Sequence, residues 1–69
     1  MELRDLIFQD MAEKGFLGMS QISKEMNIAR CTLDRLLIKN EASRNTIRKA
    51  SFISKRPIRE YEECEFTLI

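Results

Sequence analysis

Two short stretches of helical periodicity meet at Asn27, and the bend between them limits the folds open to this chain more than any other feature. In the first stretch Ile22 and Met26 face one way, Ser20 offers an N-cap oxygen, and Gln21, Lys24 and Glu25 fall outside. In the second, from about Arg30 to Ile38, Leu33, Leu36 and Leu37 share one face. Asn27 tolerates left-handed backbone better than most residues, and apolar Ile28 follows it. Two helices joined by three or four residues at such a turn cannot be collinear. They must cross, with both apolar faces turned to a common neighbour.

That neighbour is the N-terminal segment. Leu3, Leu6, Ile7 and Met11 recur at three- and four-residue spacing and predict a helix from about Glu2 to Lys14. Glu2 and Asp5 suit its positive end, Lys14 its last turn, and Gly15 a left-handed close. Phe16 and Leu17 are expected to fold back as core, with Gly18 as a corner. Beyond a polar loop at Lys39 to Ala42, Ser43 or Asn45 caps a fourth helix through Thr46, Ile47, Ala50 and Ile53, and Pro57 stops it. From Tyr61 the pattern becomes alternating, so that Cys64, Phe66 and Leu68 share one side of a short strand. A lone strand is unstable. Three readings follow: a hairpin with Ser51 to Lys55, a dimer seam of Cys64, Phe66 and Leu68 paired with the same strand of a second copy, or an unstructured acidic tail. The expected fold class is mainly α: a compact four-helix domain over residues 1–59, then an acidic segment over 60–69 with a short C-terminal β-strand.

A chain of 69 residues buries only about 60% of its unfolded surface, and such domains commonly draw on a metal, a disulfide or a partner subunit. There is no His, and Cys31 and Cys64 are too distant in sequence to form a CxxC pair, so no metal or other cofactor is expected. Two isolated cysteines fit a reduced, intracellular chain at least as well as a disulfide. Self-association is then the remaining source of stability. The start Met1-Glu2-Leu3-Arg4-Asp5 has no apolar core of a signal peptide and no stretch long enough to span a bilayer, so a cytoplasmic protein without membrane contact is expected. Without a His base, a recognisable nucleophile site or volume for a substrate cavity, an enzyme is not expected, nor is a small-molecule effector.

The net charge of +1 conceals a separation of charge. Residues 1–18 carry −2, residues 19–59 carry +7 and the last ten carry −4. A nearby polyanion responds to the local field, so the central segment suits one-faced binding to phosphate. On charge alone, a solvated helical surface explains the pattern equally well.

The run Ser20-Gln21-Ile22-Ser23-Lys24-Glu25-Met26-Asn27-Ile28-Ala29-Arg30-Cys31-Thr32-Leu33-Asp34-Arg35-Leu36-Leu37-Ile38 adds a pattern to the charge. It resembles the helix-turn-helix of the phage repressor and Cro family. That family's apolar positions fall on Ile22, Met26, Ile28, Leu33 and Leu36, its small contact residue on Ser23 and its turn residue on Asn27. The resemblance extends more loosely to the first helix and to Ser43 through Ala50, about fifty residues in all. Met19 stands where the family often has Gln, Ala29 where it favours Ser or Thr, and the family's fifth helix is not expected, Pro57 and the acidic end taking its place. The resemblance implies a transcription regulator, a repressor in its simplest form, that binds double-stranded DNA as a homodimer on a pseudo-palindromic operator with half-sites about one helical turn apart.

With Leu33, Leu36 and Leu37 inward, the outer face of the third helix presents Arg30, Cys31, Asp34, Arg35 and Ile38 as base-contacting residues. Arg30 and Arg35 suit bidentate contacts to guanine. Asp34 either accepts from a cytosine amino group or orients an arginine, and Cys31 either touches a thymine methyl or is structural. Gln21, Lys24, Lys39, Arg44, Arg48 and Lys49 are expected at phosphates. Lys55, Arg56 and Arg59 read as a solvated basic loop, with backbone or minor-groove contact as the other option. The competing function is a protein-interaction module or anti-repressor built on the same fold.

Overall fold

Gly15 adopts φ +87°, a conformation that costs a Cβ-bearing residue strain, and there the chain reverses after its first helix. The computed structural model describes residues 1–69. Helix α1 (Leu3–Glu13) buries Leu3, Leu6, Ile7 and Met11, the stripe its periodicity predicts, together with Asp10. Phe16 packs against the core as expected, but Leu17 does not: it is 82% exposed. Helix α2 (Met19–Met26) begins earlier than expected, with Gly18 rather than Ser20 at its N-cap, and Ser20 instead turns its Oγ to Arg30. Asn27, at φ 55°, ends α2 in the left-handed conformation, and the three residues 27–29 lead into α3 (Arg30–Lys39). Asn40, at φ 56°, ends α3 in the same way.

Ser43 caps α4 (Arg44–Ser54), its Oγ accepting the Thr46 N–H at 3.2 Å. Helix α4 runs through Ser54, so the hairpin expected from Ser51 to Lys55 does not form. Pro57 stops α4, but it then starts a fifth helix, α5 (Ile58–Glu62), which the sequence reading omitted. A proline's fixed φ suits the entry to a helix as well as it forbids the interior. The side chain of Tyr61 on α5 is fully buried in the same core as α1 and α4, so the expected boundary at 59/60 falls inside one packed unit.

The C-terminal segment pairs within its own chain. Strand β2 (Thr67–Leu68) runs parallel to β1 (Glu41–Ala42), with Glu41 opposite Thr67 and Ala42 opposite Leu68. The expected polar loop thus holds a strand and a buried residue, Ala42. One step earlier, Glu65 bridges to Glu2, donating to the Met1 carbonyl at 3.1 Å and accepting from the Leu3 N–H at 3.0 Å. Asn40 fastens the junction: its Oδ1 accepts from the Arg4 N–H at 3.0 Å and its Nδ2 donates to the Glu65 carbonyl at 2.6 Å. Cys64 and Phe66 pack against the core of their own chain and are partly buried there, while Leu68 remains half exposed. Both cysteines are free thiols, Cys31 exposed and Cys64 half-buried, and burial pushes the Cys64 thiol pKa up.

A polar network ties α1, α4 and α5 together. Arg56 forks onto Asp10, with Nε to Oδ2 at 2.7 Å and Nη2 to Oδ1 at 2.9 Å, and reaches Glu60 at 2.7 Å. The Tyr61 hydroxyl donates to Asp10, and Ser54 Oγ lies 2.6 Å from the same hydroxyl. Burial on its own would raise the Asp10 pKa, but hydrogen bonds from Arg56 and Tyr61 and the Arg56 charge together hold it below the ordinary carboxylate value. Burial, and then donation to Asp10, push the Tyr61 pKa well up. Arg56 is therefore a structural residue and not part of a solvated basic loop.

Candidate nucleic-acid interface

Helix α3 is two-faced. Leu33 and Leu36 are fully buried and Leu37 partly so, while Arg30, Cys31, Arg35, Ile38 and Lys39 are exposed and Asp34 is half exposed. Its inner side packs on α1 and α2, and its C-terminal end is held from outside. Arg4 Nη1 donates to the Leu37 carbonyl at 3.2 Å and the Ile38 carbonyl at 2.9 Å, which places a cation on the negative end of the helix. Sequence reasoning missed this role for Arg4. The two partners lie more than thirty residues away, and no local signal connects them.

The two arginines expected to read bases differ in their surroundings. Arg30 is engaged on every nitrogen: Nε reaches Asp34 Oδ1 at 3.3 Å, Nη1 reaches Ser20 Oγ at 3.2 Å, and Nη2 reaches Met19 Sδ at 3.7 Å. It joins the start of α2 to the start of α3, and it orients one oxygen of Asp34. Arg35 makes no ion pair and no hydrogen bond through its side chain, and it projects from the middle of the exposed face.

No protein-family model matches the chain, and no curated protein or solved structure matches it.

The cations expected at phosphates also divide. Lys24 on α2, Lys39 on α3, and Arg44 and Arg48 on α4 are exposed and carry no ion pair. Arg44 and Arg48 lie one turn apart on the same face and line a shallow groove with Ile47, Ile58 and Glu62. Lys49 is different: it is half-buried and its Nζ donates to the Asn27 carbonyl at 2.7 Å. It braces the turn between α2 and α3 through one of its ammonium N–H groups. Gln21 points back toward the preceding loop, its Oε1 accepting the Leu17 N–H at 3.4 Å. No three His, Cys, Asp or Glu side chains converge at a spacing that would hold a metal ion, and no helix is long and apolar enough to cross a membrane.

Proposed function

We propose that this protein is a sequence-specific double-stranded DNA-binding regulator of transcription, cytoplasmic and homodimeric, that sets α3 into the major groove of each half of a pseudo-palindromic operator. Repression by occupying a promoter is the simplest action of such a protein. The observation that carries the reading is the outer face of α3: a helix with its inner side anchored in the core carries an unpartnered guanidinium, Arg35, at its centre. A protruding helix fits the major groove, and a free arginine suits guanine O6 and N7. Lys24, Lys39, Arg44 and Arg48 then supply the phosphate contacts that fix register. Two linked modules multiply the affinity that one module lacks.

For the homodimer, the free edge of β2 is the surface of choice. Thr67 and Ile69 turn their N–H groups to Asn40 and Ala42, so the intervening backbone of Leu68 faces the opposite edge. Such an edge accepts an antiparallel copy of itself.

The test is selection from a randomised duplex pool at two salt concentrations. Enrichment of a two-fold-symmetric motif, with affinity falling steeply as salt rises, is the expected result. Arg35→Ala should lose that motif and keep self-association. A protein that selects nothing from the pool would end this reading.

One observation favours the protein-interaction alternative. Phe52 is 86% exposed beside a groove of ≈ 330 Å³ lined also by Met26 and Ile53, a surface suited to another protein. If Phe52→Ala removed a partner while Arg35→Ala changed nothing, the interaction reading would replace the DNA reading.

A further inference from the structure

Ile38 is 69% exposed on the same outward stripe of α3 as Cys31 and Arg35. An apolar side chain held out on a face that otherwise carries charge has no packing role in the isolated chain. The three residues follow the spacing i, i+4, i+7, so they line up along one side of the helix. From Cys31 to Ile38 the helix rises about 10.5 Å, close to three base-pair steps of about 3.4 Å each. Arg35 lies between them with its guanidinium free. Arg30, the other candidate reader, is tied to Ser20, Met19 and Asp34 and lies off this stripe.

We infer that the Cys31–Arg35–Ile38 stripe reads a short core of sequence in which a G·C pair lies between two T·A pairs about three base-pair steps apart. Arg35 takes the guanine through O6 and N7, and Ile38 packs on a thymine methyl beyond it, with the smaller Cys31 thiol on the methyl at the other end. The chemistry follows from the groove: the C5-methyl is the one apolar group that the major-groove edges present, and the guanine edge is the one with two adjacent acceptors. Arg30 is a positioning residue in this arrangement. It fixes the start of α3 against α2 and leaves the base edges to Arg35. Charge favours duplex DNA as the occupant of this face, since Lys39 on α3 and Lys24 on the adjoining α2 are exposed without ion pairs.

This inference rests on the proposed function, and the experiment separates the two. The probe is the duplex that the wild-type protein enriches from a random pool, together with a copy in which the flanking thymines are replaced by uracil. Uracil removes the methyl group and leaves the base-pairing edge intact. The wild-type protein should bind the uracil duplex about three- to fivefold more weakly, the effect of losing one or two partly buried methyl contacts. Ile38→Ala, at an exposed position that leaves the core untouched, should keep only the smaller discrimination that Cys31 supplies, and the double variant Cys31→Ser/Ile38→Ala should bind both duplexes nearly equally. Arg35→Ala should lose about ten- to a hundredfold preference for guanine at the central position. An enriched motif without flanking thymines, or discrimination against uracil that is undiminished in Cys31→Ser/Ile38→Ala, would overturn the inference and leave the DNA reading standing. The absence of any enriched motif would overturn both.

Discussion

Asp10 is an acid whose role its neighbours in sequence do not indicate. Read locally, it is one of four acidic residues in the first eighteen, and Arg56 is one of three cations around Pro57. In the fold, the fork of Arg56 and the Tyr61 hydroxyl converge on the Asp10 carboxylate, whose side chain is 5% exposed. Asp10→Asn keeps the volume but removes the charge that both donors face. It should lower stability by about 2–4 kcal/mol in urea unfolding, as for other broken buried pairs. That is a large part of the stability of so small a domain. The same site sets a pH dependence. The folded pKa of Asp10 is depressed below the unfolded value of about 3.9, so just below that pH the unfolded chain binds more protons. The contribution is therefore full above about pH 4 and is lost as pH falls through the folded pKa. Wild-type protein should lose stability on acidification below about pH 4, and Asp10→Asn should show a flatter acid limb. Identical acid limbs would mean that other carboxylates set the acid response.

At the scale of elements, two asparagines in the left-handed conformation end α2 and α3, but they do different work. Asn27 serves its turn through the backbone, with its carbonyl accepting from Lys49. Asn40 adds a side chain that joins α1 to the C-terminal strand. Asn27→Gly should therefore cost nothing measurable, because glycine meets the same φ without strain. Asn40→Gly should cost about 1–2 kcal/mol for the two lost hydrogen bonds, and Asn40→Ala about 1 kcal/mol more for a Cβ at positive φ. Equal losses for the two Asn40 variants in thermal or urea unfolding would rule out the conformational part. The turn at Asn27 was legible from residue type and from the apolar spacing on either side. The strand after Asn40 was not, because two residues give no periodicity to detect. Pro57 misled for a related reason: its ring ends one helix and starts another, and only the apolar environment of Tyr61 decides that α5 forms.

For the whole molecule, the acidic C-terminal segment is part of the core and not an appendage. Removing residues 61–69 deletes Tyr61 along with β2, and the shortened chain should lose cooperative unfolding altogether. Removing only 67–69 deletes residues that are all exposed and the backbone hydrogen bonds of β2 to β1, Thr67 to Asn40 and Ile69 to Ala42 among them. That shorter deletion should stay folded and, if the free edge of β2 is the dimer surface, sediment as a monomer. A deletion that still self-associates would place the seam elsewhere. By itself, the sequence determined the mainly helical class, four of the helices, the left-handed turns at Gly15 and Asn27, and the outward face of α3. Each of these follows from steric limits and spacing within a few residues. Only the tertiary structure decided that Arg56 serves Asp10, that Lys49 braces the turn, that Arg30 is held while Arg35 is free, and that the last strand closes on Glu41 and Ala42. Those outcomes depend on which groups meet across as many as 46 positions of chain, where burial and hydrogen-bond matching select partners that local pattern does not encode.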